Sequence, residues 1–100
     1  SFREAVLAAG SDLGYVHACE NQRGSPGSGL VPWFEFMTAL RDVGYDGCIT
    51  IESFDADMEK VAKLCCIWRK LADSPEQLAA EGLRFLRSLH GQVYGVAAKA

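Results

Sequence analysis

Three residues of this chain are best suited to chemistry: a histidine, a glutamate and an arginine. His17 stands near the end of a short apolar run, LGYVHAC (13–19), and Glu52 closes a second, CITIE (48–52). The stretch HACENQRGSPGSG (17–29) then carries Glu20, Asn21 and Arg23 into a loop dense in glycine and serine. An imidazole and a carboxylate at adjacent strand ends suit a divalent metal of the manganese, cobalt, iron or magnesium kind. A carboxylate there also suits proton transfer. Each residue has a plainer reading as well. A single histidine at a strand end is commonly just hydrogen-bonded or half-exposed, Arg23 is by default a solvated loop charge, and Glu20 and Asn21 are turn formers. Glu52 is more telling, because burying a charge is costly without a partner.

The elements that must position these residues alternate. Residues 2–9 read as helix, stopped by Gly10, and 13–19 as a strand. Residues 20–31 are loop, since Gly24, Pro26, Gly27 and Gly29 interrupt regular structure. Pro32 opens a helix on which Trp33, Phe36, Met37, Leu40 and Val43 recur at helical spacing, and Gly44 ends it. CITIE suits a parallel strand buried on both faces. A third helical stripe runs through Met58, Val61, Leu64, Cys65, Trp68 and Leu71, with Cys65 and Cys66 as small core residues and Trp68, like Trp33, as a packing residue. SPEQ (74–77) is a capping box for a helix from Pro75 to about His90, which buries Leu78, Gly82, Phe85, Leu86 and Leu89. His90 is expected to complement that helix's dipole, and 91–100 to form a loosely held tail. Strands alternating with helices predict α/β architecture with a parallel sheet. In such sheets ligands gather at the carboxyl ends of the strands, which is where His17 and Glu52 fall.

Composition bounds the rest. One hundred residues make one small domain. With 49% hydrophobic and 23% charged residues the chain is globular in composition, and a net charge of −3 argues against a nucleic-acid surface. No apolar run reaches the roughly 18 residues of a membrane span. Four cysteines without C-x-x-C spacing, and no leader pattern, fit a reducing cytoplasm. The opening SFREAVLAAG begins inside a helix without an initiator Met, so the chain reads as a piece of something longer. Two strands leave edges that want partners, so a homo-oligomer is expected.

HACENQRGSPGSGLVPWFEFMTALRDVGYDGCITIESF (17–54) resembles the C-terminal part of the sugar isomerase/epimerase superfamily of xylose-isomerase-like TIM barrels, and within it the ketose 3-epimerases. That group carries a His, an Asn and an Arg, then P-G-x-G, then P-W opening a helix, a G-Y-x-G turn, and a strand ending in Glu with Phe two places on. Ser53 departs from it, standing where relatives often have Pro. The resemblance implies the last two βα units of a (β/α)8 barrel plus a C-terminal helix, with 17–54 as the motif-bearing core. It implies that His17 and Glu52 are two of four ligands to a divalent metal, manganese or cobalt, with magnesium a further candidate. It also implies that Glu52 is one of two glutamates moving the proton at C3 of a ketose, that Arg23 binds substrate oxygens, and that Phe54 walls the far end of the sugar. The other two ligands and the partner glutamate lie outside this chain.

The leading expectation is therefore a fragment of a metal-dependent sugar isomerase/epimerase, inactive as an isolated 100 residues. The alternative is a non-catalytic truncated barrel that self-assembles. An apurinic endonuclease-like relative is disfavoured by the acidic balance.

Overall fold

Alternation along two short strands sets the layers in the computed structural model, which describes residues 1–95. Strands β1 (Val16–Ala18) and β2 (Ile49–Ile51) pair in parallel, with Val16 opposite Ile49, His17 opposite Thr50 and Ala18 opposite Ile51. The ladder continues through the Glu52 N–H, which donates to Ala18 O at 2.8 Å. Because successive side chains point to opposite faces, Val16 and Ala18 are buried on one face, and Ile49 and Ile51 pack there beside them. His17 and Thr50 are exposed on the other. The expected cover on both faces of CITIE is thus present on one face only, since the helices that share a core with the sheet gather on the same side.

Helices α1 (Phe2–Ala9), α2 (Trp33–Asp42) and α4 (Pro75–Tyr94) bring Val6, Trp33, Met37, Leu40, Leu86 and Val93 into one core with the sheet. Their ends follow local chemistry. Ser1 Oγ accepts from Glu4 N at 3.1 Å to cap α1. Gly44, at φ 74°, closes α2: its N–H donates to Arg41 O and the next N–H, of Tyr45, to Leu40 O. Ser74 Oγ caps α4 by accepting from Gln77 N at 3.1 Å. The Gln77 side chain accepts from Asp73 N rather than from the cap residue's own N–H.

Two expectations about the C-terminal half need correction. The stripe from Met58 to Leu71 is not one helix. Helix α3 (Glu59–Leu64) stops after Leu64, and Leu64 and Trp68 are 85% and 87% exposed. The stop is a left-handed cap built without glycine. Cys66 sits at φ 56°, donates to Lys63 O, and is followed by Ile67 N donating to Ala62 O. So Cys65 ends a helix and Cys66 is exposed, neither being a core residue. The other correction is at the chain's end. Helix α4 runs on to Tyr94 because Val93 is buried in the core and its carbonyl accepts from Arg41 Nη1 at 3.0 Å. His90 is consequently a full turn inside the helix, stacked on Tyr94 with ring centroids 4.3 Å apart. Of the expected tail, 96–100 lie outside the described residues.

Helix α4 also carries the polar loop. Gly82 is buried, and a Cβ there would sit 2.7 Å from Pro26 Cδ and 3.3 Å from Ile51 Cδ1. Glycine to alanine ordinarily stabilises a helix interior by about 1 kcal/mol. Here the rigid proline ring reverses the sign: Gly82→Ala is expected to lower stability by on the order of 1 kcal/mol, from an overpacking cost of about 1–3 kcal/mol. A thermal melt checks this, and a rise in Tm would show that Pro26 does not rest on the helix.

Candidate active site

The strand register places the chemistry. His17 and Thr50 are paired on the open face, and Glu52, two residues beyond Thr50, returns to that face one step nearer the rim. His17 Nδ1 and Glu52 Oε2 are 3.8 Å apart, with side chains 53% and 42% exposed. That is too long for a hydrogen bond and short enough for both atoms to reach one small cation or one substrate oxygen. Tyr15 flanks the pair. Its ring meets His17 edge-on at 5.1 Å between centroids, and its hydroxyl shares a 2.9 Å hydrogen bond with Thr50 Oγ1 across the strands.

The loop after β1 is organised around Glu20, which is 2% exposed. One carboxylate oxygen accepts from Asn21 N (3.2 Å) and Val31 N (2.9 Å); the other accepts from Gly27 N (3.0 Å) and Trp33 Nε1 (2.7 Å). Burial pushes this carboxyl's pKa up, yet the hydrogen bonds, led by Trp33, outweigh burial and hold it below the ordinary value. The rest of the loop closes on the same frame. Asn21 Oδ1 accepts from Leu30 N at 2.6 Å, and Gln22 Nε2 donates to Ser28 O at 3.1 Å. Gly27, at φ 93°, lies directly against the Phe85 ring, where a Cβ would come within 2.6 Å.

Arg23 is half-buried at the rim. Its Nη1 donates to Cys19 Sγ at 3.3 Å, and its guanidinium lies 6.0 Å from the centre of the Phe54 ring. The bond to Cys19 is the first cause of a raised Arg23 pKa, and the Glu52 carboxylate adds to it through space. The segment after β2 is stitched to the loop after β1. Phe54 N donates to Arg23 O at 2.9 Å, and the Ser53 hydroxyl donates to Gly24 O at 2.9 Å. The serine therefore uses its hydroxyl to hold the two loops together.

His17, Glu52, Arg23 and Phe54 thus gather along one rim of the sheet. Among the described residues no group of three or more His, Cys, Asp or Glu side chains is placed to hold a metal ion, so His17 and Glu52 stand as a pair. Sequence reasoning missed Glu20 as the centre of the loop and Cys19 as the partner of Arg23. The signal for Glu20 was present: a lone carboxylate among glycine-rich backbone amides, thirteen positions before a tryptophan whose indole N–H also needs an acceptor.

Residues 2–89 match the family of the Xylose isomerase-like TIM barrel. The chain belongs to that family. Among relatives of this barrel family, it is 41% identical over 86 residues to the L-ribulose 3-epimerase of Methylomonas sp., covering 84% of this chain and 30% of the relative. It is 39% identical over 87 residues to the probable ketose 3-epimerase of Synechocystis sp., covering 87% and 30%. Its fold superposes on an L-ribulose 3-epimerase structure with a TM-score of 0.85 at 28% identity, covering 97% of this chain and 33% of that one. A second structure, of the Methylomonas sp. D-allulose 3-epimerase in complex with D-allulose, matches with a TM-score of 0.77 at 39% identity, covering 88% and 31%. The chain thus spans about a third of the length of these relatives. Among its described residues no helix is long and apolar enough to cross a membrane.

Glu20 gives a test of the loop's frame. In Glu20→Gln an amide nitrogen replaces an oxygen that accepts two N–H groups, so donors face a donor. The variant is expected to lose about 2–3 kcal/mol, the scale of hydrogen bonds to a charged acceptor. A lowered folded-state pKa means that Glu20's contribution is complete above the ordinary carboxylate value of about 4.3. It is lost as pH falls through the depressed folded value. The stability gap between wild type and Glu20→Gln, from urea titrations, should therefore be widest near neutral pH and narrow in acid. A gap independent of pH would show that the charge of Glu20 does not hold the loop.

Proposed function

We infer that this chain is the seventh and eighth βα units of a ketose 3-epimerase-type barrel, and that it supplies one wall of that enzyme's active site. The observation that carries the reading is the placement of His17 and Glu52, 3.8 Å apart near the carboxyl ends of two adjacent parallel strands, with Arg23 and Phe54 on the loops that follow. The two donors fit a hard divalent cation. Ligand atoms each about 2.1 Å from one ion lie within about 4.2 Å of each other, and His17 Nδ1 and Glu52 Oε2 satisfy that limit. His17 and Glu52 would hold a metal of the manganese, cobalt or magnesium kind, with the remaining ligands coming from other strands of the barrel. When bound, such a metal polarises the ketose carbonyl and makes the neighbouring C3 proton more acidic.

Glu52 takes the proton from C3 on its own side of the sugar, and the C–H electron pair moves into an enediolate. Inversion requires a second carboxylate on the opposite side to return a proton there, so Glu52 performs half of the exchange. The Arg23 guanidinium faces the oxygen on which charge develops. Phe54 presents an apolar surface beside it.

The test is a graft. Residues 2–89 replace the matching part of the Methylomonas sp. L-ribulose 3-epimerase, and ketose epimerisation is assayed. The graft is expected to turn over, and Glu52→Gln within it to lose about 10²–10⁴-fold in kcat, the scale of a general base. His17→Ala should lower its metal content by elemental analysis. Full activity in Glu52→Gln, or undiminished metal in His17→Ala, would remove that residue from its role. The 100-residue chain alone is expected to show no turnover.

A second reading concerns assembly. β1 and β2 each leave an unpaired edge among the described residues, and Tyr15, Leu30 and Trp68 are 61%, 85% and 87% exposed. The isolated chain is expected to sediment as a dimer or larger species. A monomer with a cooperative melt would contradict that.

A further inference from the structure

The geometry points to Cys19 and Phe54 as positioning residues that clamp the Arg23 guanidinium, the thiol accepting from one of its nitrogens and the ring lying beneath its central carbon. Arg23 sits at φ 74°, a left-handed conformation that a side-chain-bearing residue adopts at a cost. That backbone is pinned from both sides: its N–H donates to Glu20 O at 3.0 Å and its carbonyl accepts from Phe54 N at 2.9 Å. A pinned, strained backbone fixes where the side chain starts but leaves four rotatable bonds free. The far end is fixed by the other contacts. Nη1 donates to Cys19 Sγ at 3.3 Å, and the guanidinium lies 6.0 Å from the Phe54 ring centre, at the outer reach of a cation–π contact. The thiol is itself oriented, since it donates to Glu20 O at 3.5 Å. Cys19 is thus a relay between the buried loop frame and the arginine, using one sulfur as donor and acceptor.

The clamp gives two residues roles beyond those assigned above. Phe54 acts on the arginine as well as on any bound sugar, and Cys19, which touches no substrate in the proposed site, acts through Arg23 alone. The functional consequence rests on the reading of Arg23 as the sugar-oxygen ligand; the clamp itself does not.

Two measurements separate these. In the 100-residue chain, phenylglyoxal modification of each arginine is followed by peptide mass spectrometry. Arg84 and Arg87, exposed on α4, set the unprotected rate. Arg41, bonded to Val93 O and Asp42, reports that the fold is intact. Arg23 is expected to react about tenfold more slowly than Arg84, as for one hydrogen bond of a charged donor. Cys19→Ala should remove most of that protection and Phe54→Leu a smaller part of it, each with the Arg41 rate unchanged, and Cys19→Ser should retain it, because a hydroxyl can donate and accept as the thiol does. An Arg23 as reactive as Arg84 in wild type, or a serine variant that behaves like alanine, would overturn the clamp. In the graft, Cys19→Ala should lower kcat about tenfold with KM changed by less than about threefold, the signature of an interaction made in the transition state. Cys19→Ser should recover that loss. If Arg23 is protected as described but Arg23→Ala leaves kcat and KM of the graft unchanged, the clamp stands and the sugar-binding reading of Arg23 falls.

Discussion

Much of this structure depends on one buried carboxylate. The loop between β1 and α2 carries Gly24, Gly27 and Gly29, has no ladder or helix of its own, and must nevertheless hold Arg23 at the rim. Ordering each such residue costs about 1–2 kcal/mol of backbone entropy. Glu20 offsets part of that cost at a single point, because its two oxygens gather N–H groups from the start, middle and end of the loop and from the first residue of α2. A charge removed from water is normally a liability. Here it is matched by donors on every side, so what would be four unsatisfied N–H groups and one buried anion become a joint. Helix α4 supplies the floor, with Pro26 resting on Gly82 and Gly27 on Phe85.

The sheet imposes the second constraint. Side chains alternate, so a slip of one residue in the pairing of Val16 with Ile49 would turn His17 into the core and Val16 out. The apolar pair Val16 and Ala18 prevents that slip by packing against Met37, Leu40 and Leu86. Core packing on one face therefore sets the 3.8 Å approach of His17 and Glu52 on the other.

These two constraints were unequally legible. Alternation and helical spacing are local patterns, so the order of elements, the caps at Ser74 and Gly44, and the position of His17 and Glu52 near strand ends could be read directly. The end of α3 could not. Its stop is a left-handed residue, and the residue there is Cys66, where the usual marker is glycine. Without that marker the apolar spacing continued on paper to Trp68 and Leu71. The extension of α4 to Tyr94 escaped for a related reason: Val93 is held by the core and by Arg41, fifty-two positions away. Glu20 does open a turn, its carbonyl accepting from Arg23 N, but its larger role lies in converging donors, a property of the folded loop rather than of spacing. Comparison with relatives places the chain in its barrel family, but the clamp on Arg23 is visible only in the contacts.

The open face of the sheet carries the last step of the argument. Buried barrel interiors are filled mainly by Val, Ile and Leu. This face instead presents Tyr15, His17, Thr50 and Glu52, with Tyr15 and Thr50 already hydrogen-bonded across the strands. A packed apolar partner laid on it would strand Glu52 and His17 without water or donors, at a cost of several kcal/mol for the carboxylate alone. A surface of this kind is stable when it faces solvent or when it faces further polar groups that share a ligand with it. In the proposed reading the latter holds: the missing strands bring the opposing carboxylate and the remaining metal ligands. On that reading the same polarity that makes the face a poor core makes it a usable wall for a sugar, whose hydroxyls need donors and acceptors on every side.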